Sequence, residues 1–522
     1  MKNRFFKTIA GAALLIIVFN VLSRFLGFFR EIIFASSFGV DKEFEIYLIA
    51  AVFPFIINSI LFYLGQNFLI PLYNKTKIED SNAENFIILQ TLLVFSTFSL
   101  IIALSLFYFS EEIIGAYLRT NETYLIILAE NLFRLLLITI PLSAASSVLS
   151  AFFQAKYDFR TPIESQLILN LIFIVVLLLL SDAIQIYAIT IAFLIGTLLQ
   201  LIYLVTKASF LFKNLYIKKF FQPKLYSSFS GALLFTVLIE IIGQMNLVID
   251  RYFFSEINNG GLALLNFSTT IFVLPIALIS IGLSLALFPK ISEAYYSKNK
   301  DLFNKYLSDG IFIITFLFCL ITVIFFFFGD VIIDIIYLRG KFGAVESKRA
   351  YELLQILTLS LFFYGIYSIL YRVYFVINKI RILLTLSLIG LIIKLFFNFI
   401  LVSMLKENGL ALSTSISYIS LALLSFFYLI YKGEVVIKIS HVKEIFLTVI
   451  ISMFSLFISN VLAKAINFSV FTNSLISICI FISIFIITSF YLKNRALITI
   501  IDSYLPPLKS LYSKTFNQGT II

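Results

Sequence analysis

Arg24, Arg30 and Glu31 place three charges in the first long apolar segment, within the stretch Ser23-Arg24-Phe25-Leu26-Gly27-Phe28-Phe29-Arg30-Glu31. A charge deep in a bilayer costs about 2.5–3.5 kcal/mol on insertion scales unless a partner or a wet cavity receives it. The folded protein must therefore face these side chains with something. Arg24 and Glu31, seven positions apart, share a helical face, and Arg30 joins them only if the helix bends near Gly27. The chemistry open to such a set is binding. Arginine's planar fork holds phosphate oxygens in pairs, so a basic cleft within a membrane suits a phosphate-bearing lipid.

Polar groups in other apolar segments extend the set. Glu45 opens the second segment. Segment 226–254 carries Glu240, Gln244, Asn246, Asp250 and Arg251, the last two nearer its outer end. Glu130 and Arg134, spaced i,i+4, read as a local ion pair that neutralises itself. Arg372 admits both a ligand role and snorkelling to the interface, and Lys394 reads as a snorkelling side chain. The candidate binding residues are Arg24, Arg30, Glu31, Glu45, Asn246, Asp250, Arg251 and Arg372.

Holding these groups requires spans. Of 522 residues 61% are hydrophobic and 13% charged, with a mean hydropathy of +1.04. A soluble protein could not cover that apolar surface, so an all-α polytopic membrane protein is expected. The apolar runs lack two-residue alternation, which favours helices over a barrel. About fourteen segments are long enough to cross, from 8–36 through 470–492. With the N-terminus inside, the inner loops and termini hold 25 of the 39 Lys and Arg and the outer loops 8, which predicts both termini on the cytoplasmic side.

The same scatter of basic residues over short loops accounts for the net charge of +11 without a nucleic-acid partner. Met1–Lys7 looks like a signal-peptide start, but the run through Phe34 offers no small-residue cleavage site, so a retained first span is expected. Cys319 and Cys479 lie inside apolar runs and suggest neither a disulfide framework nor a metal site. The single histidine, His441, reads as a solvated loop residue between Lys438 and Lys443.

The chain also repeats itself. Tyr117-Leu118-Arg119 recurs as Tyr337-Leu338-Arg339 at an offset of 220 residues. Lys156 and Arg160 sit in a short loop as Lys379 and Arg381 do, and each loop leads into a span bearing one asparagine, Asn170 or Asn398. Two parallel six-helix lobes follow, 1–222 and 223–435, with two further helices and a cytoplasmic tail in 436–522. Two lobes around a cleft are a carrier architecture.

Ser23-Arg24-Phe25-Leu26-Gly27 with Arg30-Glu31, then Phe38-Gly39, Glu45 and Pro54, resembles the opening of the lipid II flippase (MurJ/MviN) family. That family belongs to the multidrug/oligosaccharidyl-lipid/polysaccharide exporter superfamily. The similarity recurs at Asn246-Leu247-Val248-Ile249-Asp250-Arg251, Leu274-Pro275-Ile276, Phe288-Pro289-Lys290-Ile291-Ser292, Arg339-Gly340-Lys341-Phe342 and Arg372-Val373-Tyr374-Phe375. The resemblance implies fourteen helices and a flippase in the bacterial plasma membrane. Its substrate would be an undecaprenyl-pyrophosphate-linked sugar, moved from the inner to the outer leaflet. It also implies a cavity that uses Arg24, Arg30 and Glu45, and a lipid-facing groove formed by the last two spans.

Two departures stand out. The family's Arg-Arg pair after the proline of the second span is replaced by Ile57-Asn58-Ser59-Ile60, and its Asp-Arg in the eighth span by Thr269-Thr270. Arg251 is the candidate replacement, though it lies nearer the outer end. These losses keep a second reading in play, a flippase for another lipid-linked oligosaccharide such as a capsule or O-antigen unit. A cation-coupled drug exporter fits the arginines poorly. A polytopic membrane enzyme would place acids and bases in a large outer loop, and the longest one, 330–349, has no histidine. The expected partners are the lipid-linked oligosaccharide pyrophosphate and membrane lipids, with a monomeric protein and no cofactor. Coupling to sodium, a proton or the membrane potential stays open, because the eleventh span carries Asn398 but no acid.

Overall fold

The computed structural model describes residues 9–79, 84–212, 231–435, 439–464 and 470–504, and every regular element among them is helical. Long apolar runs fold this way because a helix satisfies its backbone internally where lipid offers no hydrogen bonds. The basic N-terminus, the loop 207–224 beyond Phe212, Lys438 and the tail beyond Tyr504 lie outside the described residues.

The first half runs α1 (Ile9–Phe38), α2 (Lys42–Ala50), α3 (Val52–Leu64), a π-helical turn (Gly65–Leu69) and α4 (Ile70–Glu79). It continues with α5 (Glu84–Tyr108), α6 (Ser110–Tyr117), α7 (Thr123–Leu137), α8 (Thr139–Ala155), α9 (Arg160–Ile184) and α10 (Tyr187–Lys207). Then come α11 (Gly231–Tyr252), α12 (Gly261–Tyr296), α13 (Lys300–Tyr337), α14 (Ala344–Thr358) and α15 (Leu361–Val376). The chain closes with α16 (Ile380–Leu405), α17 (Glu407–Tyr431), α18 (Ile439–Lys464), α19 (Val470–Tyr491) and α20 (Arg495–Tyr504).

Among the described residues eleven helices are long and apolar enough to cross a membrane, or twelve when the bent pair α14–α15 counts as one span. The expected fourteen add α1, whose described side chains begin at Leu22, and α11, which carries Glu240, Asp250 and Arg251. The protein is a multi-pass membrane protein. Its helices leave large apolar side chains such as Leu179, Ile392, Phe396 and Phe399 exposed, as a lipid-facing surface requires.

By packing, the described residues form two compact units. One holds those up to Ala263 together with Arg339–Phe342; the other holds Leu264–Leu338 and those from Gly343 onward. The first unit thus includes α11, the counterpart of α1 in the repeat. Its core gathers Phe68, Leu72, Tyr73, Ile87, Leu149 and Phe152 around the π-helical turn. In the second unit α18, α19 and α20 pack on α13 through Phe312, Phe316, Ile451, Phe485 and Leu497. The sequence reading gave α20 to the tail. It forms because the Asn494 Oδ1 accepts from the amides of Ala496 at 2.9 Å and Leu497 at 3.4 Å, capping a short helix whose apolar side is buried.

The duplication is written in the backbone. α7 and α14 are both 15 residues long and start 221 positions apart. Tyr157 and Asn378 take positive φ (62° and 56°), as do Gln185 and Lys406 (48° and 55°), again at 221. This register corrects one sequence match. Asn170 aligns with Leu391, so Asn398 sits two turns further along its helix, on the same side but at another level.

Candidate functional site

The first unit presents the α1 arginines in two different states. Arg24 is exposed, with no hydrogen bond or ion pair among the described residues. Arg30 is half-buried. Its Nη2 donates to Glu31 Oε1 at 3.1 Å, and its guanidinium lies 5.6 Å from the Phe34 ring and 5.2 Å from that of Phe173 on α9. Two aromatic faces and a carboxylate hold the fork in place, while its Nε is buried without a partner among the described residues. Asn170 fixes the neighbouring turn, its Nδ2 donating to Ser23 Oγ at 3.1 Å. α1 runs unbroken through Gly27, so Arg24 and Arg30 leave the helix on different sides.

Glu45 is spent differently. It is 1% exposed, and its oxygens accept from the backbone amides of Gly260 (3.0 Å), Leu262 (2.7 Å) and Ala263 (3.3 Å). These are the amides that a helix leaves open at its first turn, so Glu45 closes the start of α12. Arg251 is also buried and donates to the carbonyl of Leu48, while the Tyr117 hydroxyl donates to Val248 O at 2.7 Å. Asp250 neighbours Arg251 on α11. Asn246 turns back on its own helix, donating to Gly243 O at 3.1 Å. Near Glu45 the segment Arg339–Phe342 docks on the α1–α2 turn. The Lys341 amide donates to Ser36 O at 2.9 Å and its Nζ meets Asp41 at 2.8 Å.

Between α3 and α11 the structure adds a polar contact that the candidate set lacks. Ser59 Oγ donates to Glu240 Oε1 at 3.1 Å, and Gln244 Nε2 donates to both Glu240 (2.9 Å) and Ser59 (3.2 Å). The available signal was Glu240 itself, an acid in the interior of a span. Glu130 and Arg134 form the expected pair, with Ser110 donating to Glu130 at 3.3 Å and accepting from Arg134 Nε at 2.8 Å.

In the second unit Arg372 is exposed on α15, with no hydrogen bond or ion pair among the described residues. Lys394 corrects its sequence reading. It is 2% exposed, on the buried stripe Gly390–Lys394–Asn398–Val402 that α16 turns to α17, and does not reach an interface. That stripe can sit so close because Gly390 has no side chain: a Cβ there would lie 2.3 Å from Leu421 Cδ1. His441 is likewise not a loop residue. It is half-buried on α18, its Nδ1 3.5 Å from Ser308 Oγ and its ring edge-on to Phe312.

Over residues 34–493 the chain matches the sequence profile described as "Lipid II flippase MurJ". The chain belongs to the MurJ family. A "Probable lipid II flippase MurJ" of Borreliella burgdorferi is 24% identical, covering 85% of this chain and 88% of its own. The "Lipid II flippase MurJ" of Thermosipho africanus is 26% identical over 78% and 83%. The fold is that of a solved structure titled "Lipid II flippase MurJ, inward closed conformation", with a TM-score of 0.78, 24% identity and coverage of 92% of this chain and 99% of that one. A multidrug resistance MATE family transporter of the MOP superfamily superposes with a TM-score of 0.67 at 14% identity, over 78% of this chain and 93% of its own.

As a member of the MurJ family, the chain departs from the usual motifs at positions that the structure explains locally. Asn58 is buried, and its Nδ2 donates to Thr139 Oγ1 at 3.2 Å, so a cation in its place would have to be desolvated against α8. Ser59 is engaged with Glu240. Thr270 closes its hydroxyl onto Asn266 O at 2.9 Å within α12. Each of the three neutral side chains makes a hydrogen bond within the first unit or its own helix, although Asn58 Oδ1 is buried without a partner among the described residues.

Proposed function

We propose that this protein moves a pyrophosphate-bearing, lipid-linked cell-wall precursor of the lipid II type from the inner to the outer leaflet of a bacterial plasma membrane. Membership in the MurJ family over residues 34–493 carries the reading. The state of the α1 arginines supplies its chemistry. A pyrophosphate leaving water needs its hydration replaced by fixed donors. Arg30 is held by Glu31, Phe34 and Phe173, and so gives up little side-chain freedom on binding. Arg24, exposed on the same helix, supplies a second fork. No bond is made or broken in this process, so the protein works as a carrier rather than as an enzyme. An inside-negative membrane potential favours outward movement of the anionic headgroup by about 2.3 kcal/mol per charge per 100 mV. Both termini face the cytoplasm in this reading, as the distribution of Lys and Arg supports.

Rescue of a bacterium depleted of its own lipid II flippase tests the proposal. The wild-type chain is expected to restore growth and the Arg24→Ala,Arg30→Ala variant to fail at equal membrane abundance. Failure of the wild type, combined with rescue of a capsule-unit flippase defect, would move the substrate to another lipid-linked glycan.

A further inference from the structure

The second unit contains a shallow, mostly apolar surface groove between α12 and α15, lined by Leu283, Leu287, Ile291, Ile369, Val373 and Arg372 among others. Among the described lining residues Arg372 carries the only charge. Ser368, the one hydroxyl beside Arg372 in the lining, already donates to Gly365 O at 2.7 Å. The surface therefore offers one cation, a run of methyl groups and no spare donor for a sugar. Lys290 and Glu293 follow on the last turns of α12 and Lys298 in the turn after it, while Lys379 and Arg381 follow α15, a local excess of positive charge in the sequence. An apolar trough with one cation and a basic surround matches a lipid whose headgroup is a single phosphate. It does not match a glycan, which would need several directed hydrogen bonds.

We infer that this groove binds an anionic glycerophospholipid, with its phosphate on Arg372 and an acyl chain along Leu283, Leu287 and Ile369. Snorkelling, the alternative for Arg372 in the sequence, is thereby given a destination: the guanidinium reaches a headgroup bound in a defined place. The site is built from α12 and α15 of the second unit and uses neither of the α1 arginines assigned to the substrate.

Native mass spectrometry of the full-length protein, titrated with phosphatidylglycerol or phosphatidylcholine, tests the inference. The wild type is expected to retain phosphatidylglycerol in preference to phosphatidylcholine. Arg372→Gln should lower that preference about fivefold, the effect of one surface cation on an anionic lipid, and Arg372→Lys should keep most of it. Leu283→Trp, which fills the trough and leaves the cation in place, should reduce retention of both lipids. An unchanged preference in Arg372→Gln would overturn the assignment. So would displacement of phosphatidylglycerol by added lipid II that depends on Arg372, because the groove would then belong to the substrate. Loss of rescue in Arg24→Ala,Arg30→Ala leaves the lipid titration unaffected, so the two proposals fail separately.

Discussion

Two regions of the first unit, both built on α1, treat charge in opposite ways. Around the α1–α2 turn every charge has an answer inside the protein: Glu45 in three backbone amides, Arg251 in the carbonyl of Leu48, and Lys341 in Asp41. Further back along α1, about four turns for Arg24 and two for Arg30, Arg24 has no hydrogen bond or ion pair among the described residues, and Arg30 is braced by Glu31 and two rings with its Nε buried and unmatched. Burying a charge is affordable in the first region because the fold itself supplies the counter-group. In the second, Arg30 keeps one carboxylate, Glu31, and Arg24 has no counter-group among the described residues, which is the condition for a ligand to matter. Charge inside a span is therefore not one signal but two, separated by whether the protein has already spent it.

The largest effect expected from this contrast is on transport. Each charge-assisted hydrogen bond is worth about 1.5–3 kcal/mol. Removing both forks in Arg24→Ala,Arg30→Ala should therefore lower flipping in reconstituted vesicles by about a hundredfold or more. Arg24→Ala alone should hardly move the melting temperature, since Arg24 makes no hydrogen bond or ion pair among the described residues, whereas Arg30→Ala also takes the partner from the buried Glu31. A large loss of stability at near-normal flipping would erase the distinction between the two regions.

Glu45 should behave in the reverse way. Glu45→Ala strands buried amides at the first turn of α12, at about 1–3 kcal/mol per unsatisfied group before relaxation. A drop in thermal stability of about 3 kcal/mol is expected. Glu45→Gln keeps an acceptor and should recover part of the loss. If Glu45→Gln melts like the wild type yet no longer flips, Glu45 belongs with the arginines after all.

How much of this was legible in the sequence depended on which property a residue needed. The all-helical membrane fold, the duplication and the family followed from apolar run length and motif spacing, because lipid permits few other solutions. The fate of single charges did not follow. Glu45 reads as a cavity acid in the chain, but its partners are amides more than two hundred residues away. Lys394 reads as interfacial because it is placed toward the inner end of its span, from where a long side chain can snorkel, yet the stripe it shares with Gly390 and Asn398 turns it inward. Ser59 stood out only as a departure from a motif, and its contact with Glu240 required α3 and α11 to pack. The asparagine match failed because a repeat of 25- and 26-residue helices tolerates a two-turn shift on one side.

A smaller effect is expected at Gly340. Its φ is +58°, and a Cβ built there would lie 2.2 Å from Ser36 O. Gly340→Ala combines a left-handed residue, at about 1–2 kcal/mol, with a clash against backbone that cannot rotate away. The docking of Arg339–Phe342 should loosen, seen as faster amide exchange at Lys341, with stability reduced by about 2 kcal/mol.

Lys341→Ala should do least, and the reason separates the two kinds of tie at the same residue. Its Nζ–Asp41 pair is solvent-facing, with side chains 59% and 53% exposed, and such pairs contribute about 0–1 kcal/mol. The tie that holds the segment is the Lys341 amide on Ser36 O, which alanine retains. Thermal stability in Lys341→Ala should fall by less than about 1 kcal/mol, and the difference should vanish at high salt, where exposed pairs are screened. Because Asp41 is exposed, its lost partner is replaced by water. Glu45, stripped of its amides, would have no such recourse. A loss in Lys341→Ala as large as that in Gly340→Ala would mean that this end of the first unit is held by side-chain charge and not by its backbone.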